Sequence, residues 1–189
     1  MTGMKILLLG LALALTSACA TTPMPMQQAT FANVQALRAE EIPPLTLGQF
    51  SLADGLPRRL DRSIQIRATT LRAPENGTFS DYLRKTLETQ LHAAGKLEAA
   101  GPVVVSAQLT QSFVTSDGPT GNGVLGARFI VRRNGNVIYD QELIVRDEWP
   151  TSFIGAIAIP AAMDHYTALY PTLVQSFVTD SRLRQALSV

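Results

Sequence analysis

The stretch "VLGARFIVRRNGNVIYDQELIV", residues 124–145, holds two alternating arms around a turn. Leu125, Ala127, Phe129 and Val131 share one face of the first arm. Val137, Tyr139, Leu143 and Val145 share one face of the second. Alternation of this kind marks half-buried strands, so the stretch reads as a hairpin. All the apolar positions are odd-numbered. A two-residue Asn134-Gly135 turn pairs odd with even and puts the two faces out of step. A three-residue loop, Arg133-Asn134-Gly135, pairs Phe129 with Tyr139 and Val131 with Val137, and places Gly135 at the left-handed position. Arg128 then faces Asp140 on the other side as a cross-strand ion pair.

Working outward, "VVVSAQLTQSFV" before the hairpin is a strand with Val103, Val105, Ala107, Leu109 and Phe113 on one face. A Gly/Pro/Asp loop over 115–123 separates it from the hairpin. Further upstream, Thr78-x-x-Asp81 resembles a capping box with Asp in place of Glu. Phe79, Leu83, Leu87, Leu91 and Ala94 recur every three or four residues, and Gly95 is a natural stop, so 79–94 is an amphipathic helix. "RSIQIRATTLR", 62–72, alternates through Ile64, Ile66 and Ala68 as one half-buried strand. "LTLGQFSLA" suits an edge strand over 45–52, and Phe31, Val34 and Leu37 suit a short helix over 31–40 that Pro43-Pro44 stops. After the hairpin, Ile159, Met163, Tyr166, Tyr170, Leu173 and Phe177 keep one helical phase. Pro160 fits a first turn, whereas Pro171 should kink the helix or split it. Asp180 caps a last short helix carrying Leu183 and Leu187. The expected fold is α+β: a two-layer sandwich of β-α-β-β-β-α order. It has a mostly antiparallel four- to five-stranded sheet and two main helices on one face.

The N-terminus carries a different signal. Lys5 precedes a short apolar run, Ile6 to Leu15, followed by Thr16, Ser17, Ala18 and Cys19, the only cysteine. A charged start, an apolar centre and small residues make an export leader. The run is too short to span a bilayer, which takes about 20 apolar residues. Residues 1–18 thus read as a signal peptide, 19–30 as a tether rich in Pro and small polar residues, and 31–189 as a single domain. Cys19 sits among Pro, Thr, Met and Gln, which build no core, and no His partner is near it. Losing the leader removes only Lys5 and leaves about 170 residues without net charge. Nucleic acid as a partner calls for a basic excess, which is absent. A single cysteine permits no internal disulfide, so the fold rests on its core, supplied by the 46% hydrophobic residues.

Thr16-Ser17-Ala18-Cys19 resembles the lipobox of bacterial lipoproteins, with Thr16 where Leu is commonest. The resemblance implies a diacylglyceryl group on the Cys19 sulfur, cleavage before it and acylation of the new amine. No other cofactor is implied. Several chains on one residue meet the two-signal requirement for stable anchoring. Ala20 is not Asp, and the resemblance then implies the periplasmic face of the outer membrane. The element order over roughly 60–178 is similar to the small domain of the outer-membrane lipoprotein that assists lipopolysaccharide assembly. It is also similar to auxiliary lipoproteins of lipid-transport ABC systems. This implies an envelope protein partner, or a bound lipid or lipopolysaccharide.

Chemistry-bearing motifs are weak. Gly121, Gly123 and Gly126 match G-x-G-x-x-G, but a dinucleotide site needs that motif opening a helix, and here it runs into a strand. His92 and His165 lack metal-ligand spacing, and Asp164 and His165 are neighbours that point apart on a helix. Both histidines read as solvated, and no catalytic or metal site is expected. The stretch "EWPTSFIGAIAIPAAM" is uncharged between Glu148 and Asp164 and holds Trp149, Phe153, Ile154, Ile157 and Ile159. It reads as a buried crossover or as an exposed apolar lip that contacts lipid or a partner. A spanning helix is the least favoured reading, since Pro150 and Pro160 bracket only nine residues. Arg67, Arg128 and Arg132 would share the helix-free sheet face if strands 62–72 and 124–133 were neighbours. That face is either solvated and balanced by Asp140 and Glu142, or a phosphate-binding surface.

Overall fold

The computed structural model describes residues 20–39, 42–74 and 77–188. The expected leader, residues 1–18, and Cys19 lie outside the described residues. The chain runs β1 (Ala20–Pro23), α1 (Phe31–Ala39), β2 (Thr46–Leu52), a 3-10 turn (Arg58–Asp61), β3 (Ser63–Ile66) and β4 (Thr69–Arg72). It continues through α2 (Phe79–Ala94), β5 (Val103–Thr115), β6 (Thr120–Arg133), β7 (Asn136–Pro150), α3 (Gly155–Val178) and α4 (Ser181–Ser188). The main sheet has the order β2-β5-β6-β7 and a small one the order β1-β4-β3. Helix α2 packs on β2 and β5, and α3 on β6 and β7, which makes the α+β sandwich. Both sheets are mixed, because β2 is parallel to β5 and β1 to β4.

The opening strand of the β-α-β-β-β-α order is therefore β2, not 62–72. The latter stretch doubles back, with Ile66 opposite Thr69 and Ile64 opposite Leu71. The reason lies in its phase. Ile64 and Ile66 are buried, then Thr69 and Leu71, while Ala68 is exposed. A straight strand cannot bury even positions and then odd ones on one face; a turn at 67–68 can. Arg67 accepts a left-handed φ of 51° to make it.

The β6–β7 hairpin also departs from expectation. Its turn is two residues long, since Arg133 pairs with Asn136. Asn134 at φ 51° and Gly135 at φ 85° form the mirror-type turn that suits the strand twist. The parity conflict is resolved by a bulge: Arg132 pairs with Val137 but Val131 with Tyr139, leaving Ile138 extra. Odd then faces odd, and Phe129 lies opposite Gln141 instead of Tyr139. A second register shift, between Leu109 and Gln111, flips the end of β5. Val114 is buried there and Phe113, expected inside, is 52% exposed. The loop after β5 is shorter than expected, because the glycine-rich stretch is already strand β6.

Residues 20–30, expected to be an unfolded tether, are bound to the body instead. Ala20–Pro23 pairs with β4, Met24 is buried, the Tyr82 hydroxyl donates to the Pro25 carbonyl at 2.8 Å and Gln90 Nε2 donates to the Gln28 carbonyl at 3.1 Å. Partners distant in sequence provide these bonds, so local composition did not reveal them. Burial pushes the Tyr82 hydroxyl up to about 12.

Helix α2 begins and ends as expected. Thr78 Oγ1 accepts from the Asp81 amide at 3.0 Å, and Gly95 sits at φ 71°. Buried Asp61 adds a second cap, accepting from the Ser80 amide at 2.7 Å and its hydroxyl at 2.8 Å. Helix α3 runs through Pro171 without splitting. A mid-helix proline costs roughly 3 kcal/mol. Burying Tyr166, Tyr170, Leu173 and Phe177, at about 1.5–3 kcal/mol for a large apolar side chain, outweighs it. Phe177 stacks on Phe129 with centroids 4.4 Å apart. Asp180 caps α4, accepting from the Arg182 amide at 2.9 Å and the Tyr139 hydroxyl at 2.8 Å.

Candidate contact surface

At the far end of β7 the chain turns into α3, and the uncharged stretch divides. Trp149 is buried at 4% exposure, which removes it from the expected contact residues. Its indole lies over Gly121 and Gly123 of the paired strand, where a Cβ on Gly121 would overlap the ring. The first two glycines of the G-x-G-x-x-G match thus make a seat for an aromatic ring, whereas Gly126 lies against Thr110, Gln111 and Ile144. On its other side Trp149 stacks on His165, with centroids 4.3 Å apart and planes within 4°. His165 Nδ1 meets Asp147 Oδ2 at 2.7 Å. His165 is therefore fixed by a carboxylate on β7 and is not freely solvated. Asp164 is exposed and has no part in this contact.

Beyond Trp149 the stretch surfaces. Phe153 is 93% exposed, Ile154 60% and Ile157 57%, whereas Ile159 is partly covered by the core. Arg67 holds this lip from below. Its guanidinium donates to the Ser152 carbonyl at 2.8 Å, the Phe153 carbonyl at 3.2 Å and the Ser116 carbonyl. Arg67 is thereby a brace in the β3–β4 turn, so it does not share a sheet face with Arg128 and Arg132. Phosphate binding by all three together is ruled out by that placement.

The helix-free face of the main sheet carries Arg128 and Arg132, both exposed. Arg128 makes the expected ion pair, Nε to Asp140 Oδ1 and Nη2 to Oδ2, both at 2.6 Å. The hydrogen bond from Arg128 holds the Asp140 carboxyl below its ordinary value. In backbone register Arg128 is opposite Glu142, so the pair is diagonal. Between these charges lie Val124, Ile130, Ile138 and Ile144, all half-buried, with Phe113 and 51%-exposed Val137 at the ends.

One further feature was not legible in the sequence. The bound segment 24–30 and helix α2 enclose a groove of about 470 Å³, lined by Met26, Ala29, Tyr82, Lys85, His92 and Leu97 among others. It exists because the expected tether is fixed in place. Among the described residues, no cluster of three or more His, Cys, Asp and Glu is placed to hold a metal ion. No described helix is long and apolar enough to cross a membrane.

No protein-family model matches the chain, and no curated protein sequence matches it. Solved structures do. A Xanthomonas campestris protein of the DUF330 family model superposes with a TM-score of 0.58 at 13% identity, covering 90% of this chain and 100% of that one. A provisionally named lipoprotein from Caulobacter crescentus gives 0.46 at 10% identity, over 83% of this chain and 97% of that one. A minor lipoprotein from Acinetobacter baumannii gives 0.45 at 11% identity, over 75% and 94%. The chain is similar in fold to the Xanthomonas protein over nearly its whole length.

Proposed function

We propose that this chain is a lipid-anchored envelope protein, held by acylated Cys19 at the periplasmic face of the outer membrane. It acts without catalysis, by binding another envelope protein and supporting assembly or transport. The observation that carries the reading is the uncovered sheet face. Both main helices pack on the other side, and this face presents Phe113, Ile130, Val137 and Ile144 between Arg128, Asp140, Arg132 and Glu142. Apolar residues with a charged surround are the anatomy of a protein contact. Anchoring confines partner and body to one surface and raises their effective concentration. Crosslinking in intact envelopes tests it. The expected result is a stoichiometric protein partner that survives delipidation and is lost in Ile130→Asp. Recovery of the body alone refutes the reading.

The groove beside α2 favours a second reading, a carrier for a lipid or lipopolysaccharide moiety. Met26, Ala29 and Leu97 give it apolar walls suited to an acyl chain. Lipid extracted from the purified Cys19→Ala protein, and lost when Ala93 of the groove wall is replaced (Ala93→Trp), decides for the carrier.

A further inference from the structure

We infer that the lip is a second membrane contact: Phe153, Ile154 and Ile157 enter the bilayer that holds the acyl chains of Cys19. The inference rests on the lipid-anchor reading above and assigns the lip's occupant.

Three observations converge. The first is position. Ala20, the residue after Cys19, pairs with Thr69 at the start of β4. The chain therefore meets the body at the β3–β4 turn. Arg67 of that same turn grips the carbonyls of Ser152 and Phe153. The anchor and the lip share one pole, and because Ala20–Pro23 is fixed as β1, little free chain separates the lipid from the body.

The second is charge. No Asp, Glu, Lys or Arg occurs from Trp149 to Met163. The third is the backbone. A loop facing water leaves its polar groups to water, whereas one entering lipid must satisfy them internally. Here the carbonyls of Ser152 and Phe153 accept from Arg67. The Ile154 amide donates to Ser152 Oγ at 3.1 Å, and the Ile154 carbonyl accepts from Ile157 and Ala158 amides at 3.0 Å. Apolar side chains project outward while the carbonyls of Ser152, Phe153 and Ile154 and the amide of Ile154 are already partnered.

The geometry also sets an orientation. Strand β7 has 15 residues and ends at the lip. At about 3.3 Å per residue the Asn134-Gly135 turn stands some 45 Å from it. The uncovered sheet face then rises from the membrane into the periplasm.

The test uses mature protein purified from membranes and reconstituted into phosphatidylcholine vesicles with brominated acyl chains. Wild type, with its buried Trp149, sets the baseline. Phe153→Trp should lose about half its added emission, since interfacial apolar groups sit roughly 5–10 Å deep. Val137→Trp, at the opposite end of β7, should lose none. If Phe153→Trp folds poorly, Ile157→Trp takes its place. Quenching of neither lip position overturns the inference, as does equal quenching of Val137→Trp. Capture of a protein, not lipid, by a photocrosslinker at position 153 in envelopes also overturns it. Intact mass of the same preparation reports the anchor separately. If it shows a free Cys19 thiol, the anchor reading fails, and quenching after vesicles are added to the protein still decides the lip.

Discussion

The β6–β7 ribbon has two ends, and each depends on glycine for a different reason. At the turn, Gly135 has φ 85° and nothing within 4 Å of where a Cβ would go. Its requirement is conformational. At the other end, Gly121 sits in regular strand, and a Cβ there would overlap the Trp149 ring. Its requirement is space. One end is a backbone device that reverses the chain in water. The other is a packing device that buries an indole and lifts Phe153 into the open. The contrast teaches that a glycine motif has no single meaning until its neighbours are placed.

The largest expected effect tests the space. Gly121→Ala should destabilise the fold by about 3 kcal/mol, the upper range for overpacking, and shift Trp149 emission as the ring leaves its seat. Urea unfolding and fluorescence read both. Gly135→Ala should be milder, about 1–2 kcal/mol for a left-handed residue gaining a Cβ, with Trp149 emission unchanged. Equal losses at the two sites would break the comparison.

Arg67→Ala comes next. It strips partners from the Ser152 and Phe153 carbonyls, and exposed carbonyls can turn to water, so we expect about 1 kcal/mol. Hydrogen exchange should rise over 150–156 and stay unchanged at the 134–137 turn. Near the turn end, Asp180 accepts from Arg182 and Tyr139, and the Arg182 bonds hold its carboxyl below the ordinary 3.8. A lowered carboxylate stabilises the fold above that ordinary value and loses its contribution as pH falls through the lowered one. Asp180→Asn, which still caps α4, should therefore lower stability at neutral pH by that lost contribution and flatten the acid limb below about pH 4, where the two proteins converge. Thermal unfolding across that range checks it. The smallest effect belongs mid-ribbon: Arg128→Ala breaks an exposed pair and should leave a melting-temperature difference that high salt abolishes.

Sequence reasoning succeeded where interactions are local. The span of α2 follows from the spacing of Phe79 to Ala94, the Thr78 cap and the Gly95 stop. The Arg128–Asp140 ion pair follows from alternation within one hairpin, although it is diagonal and not directly opposed as expected. It failed where a rule admits an exception paid in geometry. The parity argument against an Asn134-Gly135 turn was sound for a regular ladder, yet the bulge at Ile138 restores the faces. At 62–72 the even-to-odd change in apolar phase was a readable sign of a turn that the alternation reading passed over.

The chain alone determined its leader-like start, the single thiol at Cys19, a near-neutral charge and the α+β class, because each depends on composition or on neighbours a few residues apart. Only the tertiary structure decided that Trp149 is buried and Phe153 is not, that Arg67 is a brace, and that the segment after Cys19 is bound to the body. Those outcomes depend on Gly121, Ser116 and Tyr82, partners about 30 to 60 residues away. Whether an apolar side chain is covered is a property of what the fold brings against it, which no local window contains.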